Sequence, residues 1–167
     1  MSGTPTPKPE IVRPVEVAPD IPNPVFPNAD WADAFEIETN RNFENMRSLA
    51  QHTVGSMPLW ARALLRVRNT LVAPFGLKPD GFDDEQGEQN CVDIFPILEE
   101  TTNRIVLGLD DRHLDFRIIV DRIETDRAFR LRATTLVQRH NILGRLYIAI
   151  VTPFHRLIVK SVLKNAV

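Results

Sequence analysis

Four histidines, His52, His113, His140 and His155, carry most of the chemistry open to this sequence, because imidazole is the side chain that exchanges protons near neutral pH. His113 follows Asp110 and Asp111 and precedes Asp115. Two residues apart on a strand, His113 and Asp115 share a face, but it is the one opposite Leu114 and Phe116, which favours a hairpin network over acid–base catalysis. His140, between Arg139 and Asn141, reads as a turn-stabilising group. His155, on the flank of a C-terminal helix near Val151 and Val162, is placed to line the mouth of a cavity. No two histidines have the four-residue spacing of a zinc helix, and Cys91 has no second cysteine beside it, so no metal site is expected. Ser48, Ser56 and Ser161 lack the glycines of a nucleophile elbow, and Cys91 at a strand start reads as a small buried hydrophobe. These patterns identify no catalytic residue and imply no cofactor.

The elements that must position such groups follow from periodicity. Trp31, Asp33, Phe35 and Ile37 alternate with Ala32, Ala34 and Glu36 as in a short strand. From Asn42, the positions Phe43, Met46, Leu49, Ala50, Thr53 and Val54 recur at three and four and predict a helix that Gly55 and Ser56 break. A second helix is predicted from Pro58, with Leu59, Trp60, Ala63, Leu64, Val67 and Leu71 on one stripe, Arg62, Arg66 and Arg68 solvated, and Pro74 and Gly76 at its end. The acidic stretch from Lys78 to Asn90 lacks the ligand order of a calcium loop and reads as a solvated connection. The period then changes to two over Cys91 to Leu98, Arg104 to Leu109, His113 to Ile123 and Ala128 to His140, an antiparallel meander. Leu114, Phe116, Ile118 and Val120 are expected to face the core, and their neighbours water. Asn141 caps a final helix to about Lys164, with Leu143, Leu146, Tyr147, Ile150, Phe154, Leu157, Ile158 and Ser161 as its inward stripe and Pro153 as a bend. The fold class is α+β: a meander gripped by a long C-terminal helix, with two helices inserted after the first strand.

Composition bounds the rest. Eight of the thirteen prolines precede Asn28, so residues 1–29 are read as an extended or disordered arm and residues 30–167 as a single domain. A net charge of −2 supplies no field for nucleic acid. A single cysteine and the absence of a leader-like segment or an 18-residue apolar run point to a cytoplasmic protein without a membrane span.

The strings Leu107-Gly108-Leu109-Asp110-Asp111-Arg112-His113-Leu114-Asp115-Phe116-Arg117 and Arg139-His140-Asn141-Ile142-Leu143-Gly144-Arg145-Leu146-Tyr147, followed by Pro153-Phe154-His155-Arg156-Leu157-Ile158, resemble a bacterial domain-of-unknown-function family. That family is similar to the helix-grip fold of START-like and polyketide-cyclase-like proteins, and some members follow an NAD(P)-binding short-chain-dehydrogenase-like domain. The resemblance runs from about Trp31 to Leu163; no strand–GxGxxG–helix precedes it here, so no dinucleotide is expected. It implies a cavity between sheet and final helix that holds an apolar small molecule. Leu114, Phe116, Ile118, Leu131, Ala133, Thr135, Tyr147, Ile150 and Phe154 would point into it, with His155 at its mouth. Two alternatives stand beside this reading: a cyclase- or aromatase-like enzyme using Tyr147 or His155, and an interaction module, including a homodimer, that buries the excess apolar surface of the final helix.

Overall fold

Alternating β-branched and aromatic residues build the frame of the molecule. The computed structural model describes residues 13–56, 90–93, 95–125 and 128–167. Its strands form a seven-stranded antiparallel sheet in the order β1-β2-β7-β6-β5-β4-β3: β1 (Val15–Val17), β2 (Trp31–Thr39), β3 (Cys91–Val92), β4 (Phe95–Glu100), β5 (Arg104–Asp110), β6 (Leu114–Glu124) and β7 (Phe129–Arg139). Helix α1 (Met46–Thr53) lies between β2 and β3 in the chain, and α2 (Ile142–Lys164) closes it. This is an α+β fold consistent with a helix-grip arrangement. The second inserted helix, predicted from Pro58 to Leu71, and the acidic stretch that follows fall outside the described residues.

The meander is offset from the predicted pattern at one place. Cys91 to Leu98, read as one strand, is two, β3 and β4, folded back so that Cys91 pairs with Pro96 and Val92 with Phe95. Asp93, at φ 55°, makes the reversal, a left-handed conformation that aspartate tolerates better than most residues.

The main core lies on the α2 side of the sheet, where Phe35, Ile37, Ile105, Leu107, Val120 and Leu131 meet Leu49 and Ala50 of α1 and Val162 and Leu163 of α2. The opposite face, expected to be wet, is not wholly so. Val106, Ile119 and Leu136 make a second apolar cluster there, covered by Val25, Phe26 and Ala29. The segment bearing these residues is held at its ends by charge: Glu16 pairs with Arg156 at 3.1 Å, Asp20 with Arg132 at 3.3 Å and Asp30 with Arg139 at 3.1 Å. The guanidinium of Arg117 stacks over the Phe26 ring at 4.7 Å.

Helix α2 is fixed at both ends. At its start the Gly144 N–H donates to Asn141 Oδ1 at 3.0 Å, so Asn141 is the cap, as predicted. Past its end the Thr39 hydroxyl donates to the carbonyl of Ala166 at 2.7 Å, tying the chain terminus to β2. Asn141→Ala should therefore cost about 1–2 kcal/mol in chemical denaturation. The mid-sheet side chains would remain buried, because the partners lost, the Gly144 N–H and His113 Nδ1, both lie at the start of the helix.

The azimuth of α2 departs from expectation. Of the predicted inward stripe, Leu143, Leu146, Ile150, Phe154 and Leu157 are exposed, while Tyr147, Ile158 and Ser161 are half-buried and Tyr147 and Ile158 pack inward. The side that meets the sheet carries Gly144, Ile148, His155, Val162 and Leu163 instead, a rotation of about 100°, or one residue. Two contacts fix this rotation. The Gly144 backbone lies directly against the carbonyl of His113, a place only glycine can occupy, and His155 bonds to the sheet. The most apolar stripe is therefore not the buried one. By length and composition α2 could also cross a membrane, although here one of its sides packs on β2 and β7.

Candidate functional site

A buried polar node stands where β2, β7 and α2 meet. Asp33 on β2 and Thr135 on β7 are direct cross-strand partners, with side chains on the helix-facing side of the sheet. His155, two residues after Pro153 on α2, reaches down to both. Its Nε2 lies 3.0 Å from Thr135 Oγ1 and 3.3 Å from Asp33 Oδ1. The Trp31 ring, two residues before Asp33 on the same face of β2, meets the imidazole edge-on at 6.0 Å. Asp33 is only 4% exposed, and its Oδ2 is buried with no hydrogen-bond partner among the described residues.

A carboxylate in such a place is costly. Desolvating it takes several kcal/mol, and one weak contact to a single oxygen does not return that amount. A buried acid with an unsatisfied oxygen is a feature that functional sites often carry.

The geometry also limits the chemistry. In an acid–histidine–hydroxyl relay the acid holds one ring nitrogen while the other takes the hydroxyl proton. Here Asp33 and Thr135 both meet Nε2, so the carboxylate cannot orient His155 to activate Thr135. The node therefore lacks the arrangement of a nucleophilic relay.

Around the node the surface is apolar and incompletely covered. Helix α2 packs on β2 and β7, and α1 on β5. Between them, on β6 and the adjoining edge of β7, Phe116, Ile118 and Ala133 face the helices yet are only half-buried, although they stand near the middle of the sheet. Phe95 meets the Phe116 ring edge-on at 5.7 Å from the β4 side. Trp31, Phe116 and Tyr147 pack round Leu114, Val137 and Ile148.

Of the side chains expected to line a cavity, Leu114, Phe116, Ile118, Leu131, Ala133, Thr135, Tyr147 and His155 thus come together under α2. Leu131 is wholly within the main core. Ile150 and Phe154 do not join them: they lie on the outward side of the helix, 59% and 43% exposed. Asp33, the residue most out of keeping with its surroundings, was not singled out from sequence. The signal was present, since Trp31, Asp33, Phe35 and Ile37 form one face, and an acid in a row otherwise apolar is a misfit with a cost.

The remaining histidines of the meander serve the start of α2. His113 Nδ1 accepts from Asn141 Nδ2 at 2.8 Å, and His140 Nε2 lies 3.0 Å from Asp115 Oδ2. Asp115 Oδ1 in turn accepts from the Asp111 N–H at 3.0 Å. This is a bracket that fixes the β5–β6 hairpin against the β7–α2 corner.

A model of the family described as "Protein of unknown function (DUF2867)" matches residues 25–162. Neither the curated proteins nor the solved structures contain a match.

Proposed function

Because the chain belongs to that DUF2867 family, whose description assigns no role, its geometry has to supply one, and we propose that it binds a mainly apolar small molecule between the sheet and α2. The observation that carries this reading is the buried Oδ2 of Asp33, without a partner among the described residues, beside half-buried Phe116, Ile118 and Ala133. The ligand's body would rest on those side chains with Tyr147 at its flank, and its polar end would meet Asp33, Thr135 and His155. Such a mixture, predominantly apolar with a few convergent polar groups, is the usual make-up of a ligand site. It agrees with the START-like kinship that the sequence strings suggest. We read the role as binding without catalysis, in a reducing cytoplasm that suits the lone free thiol of Cys91. Native mass spectrometry of protein purified from its own host should show one discrete adduct that disappears on denaturation. Bare protein of sequence mass under both conditions would count against the proposal.

A second reading rests on the outward side of α2. Ile142, Leu146, Ile150 and Leu157 are 82%, 55%, 59% and 60% exposed on one row, with no charge among them. Together with Leu143 and Phe154 they offer on the order of 600 Å² per protomer, near the lower end for a stable dimer. A second copy of the chain, crossing α2 on α2, is the partner this self-complementary row fits. Sedimentation velocity at micromolar concentration should then give a dimer that Leu146→Glu with Ile150→Glu converts to monomer. A monomer in the wild type rules this out.

A further inference from the structure

We infer that the site, if it binds as proposed above, selects a ligand whose polar end is a hydroxyl group. The inference follows from counting protons at the node. With Asp33 taken as the carboxylate, an acceptor only, the 3.3 Å contact from His155 Nε2 to Asp33 Oδ1 assigns the ring proton to that nitrogen. The same N–H is 3.0 Å from Thr135 Oγ1, which therefore accepts as well. The proton of the Thr135 hydroxyl is then turned away from His155 and meets no acceptor among the described residues, while Asp33 Oδ2 is an acceptor with no donor among them.

Asp33 and Thr135 are cross-strand partners, so this donor and this acceptor stand side by side. A hydroxyl satisfies both at once, donating to Asp33 Oδ2 and accepting from Thr135. Three other end groups each fail on one count. An ether cannot donate, a protonated amine has no lone pair for Thr135, and a carboxylate would place two anions together in a desolvated site.

The test uses the full chain and four probes that share one body: 1-decanol, decyl methyl ether, decylamine and decanoate, titrated by the rise in melting temperature each produces. The wild type should bind 1-decanol at least about ten-fold more tightly than any of the other three. Asp33→Asn should reduce the preference over the ether to less than about three-fold, because its amide offers a donor where the acceptor stood. Thr135→Val is the independent check should Asp33→Asn fail to fold, and should narrow the preference over decylamine. Equal affinity for alcohol and ether, or tighter binding of decylamine or decanoate, overturns the hydroxyl assignment while leaving the binding role in place. Failure of all four probes to raise the melting temperature overturns the binding role, and the hydroxyl assignment with it.

Discussion

Gly144→Ala should lower stability by about 3 kcal/mol, with a fall in melting temperature on the order of 10 °C. A Cβ at this position lands on the carbonyl oxygen of His113, well inside contact distance. That oxygen cannot move away cheaply, because it also accepts from the His140 N–H at 3.0 Å, the bond that closes the β7–α2 corner. Relief would have to come from α2 lifting off the sheet, which would in turn draw His155 from Asp33 and Thr135. Gly55→Ala is the matched control: its Cβ would meet nothing within 4 Å, so the change should stay within about 0.5 kcal/mol. Urea denaturation of both variants checks the pair, and equal effects would mean that α2 is not held at the closeness described.

Asp33→Asn should act in opposite directions on stability and on binding. The substitution keeps the shape of the side chain, removes the charge from a group 4% exposed, and leaves a neutral hydrogen bond to His155 available. If Asp33 is kept for a ligand, the free chain should gain about 1 kcal/mol in urea denaturation, because an under-compensated carboxylate is gone. The adduct carried by host-purified protein should be lost at the same time. If the acid instead serves the fold, weakening its pair should cost about 3 kcal/mol. The sign of the stability change therefore separates the two roles without any knowledge of the ligand.

Much of this architecture is legible in the sequence because strand alternation and helix caps are local. The faces of β2, β6 and β7, the Asn141 cap and the extent of α2 all follow from neighbouring residues. What escaped depends on contacts between distant segments. The rotation of α2 is set by a glycine meeting a carbonyl 31 residues earlier and by a histidine bonding two strands, whereas the periodicity counts only how apolar each stripe is. Ile119 and Leu136 look misplaced on an outer face until Phe26 and Ala29 lie over them. The split of Cys91 to Leu98 turns on the left-handed Asp93, which carries no glycine to announce it. The polar node was half visible: Thr135 and His155 could be assigned to the seam, but Asp33 acquires meaning only when Thr135 is known to stand beside it.

The central claim, that a small molecule sits on the half-buried strip between α1 and α2, is tested most directly by filling that strip. Ala133, the cross-strand partner of Phe35 and Val120, is its small central residue. Host-purified wild type and Ala133→Phe should be compared by native mass spectrometry, with urea denaturation to establish that both are folded. The account predicts a discrete adduct on the wild type and none on the folded variant. An adduct on both at equal occupancy, or on neither, would contradict it.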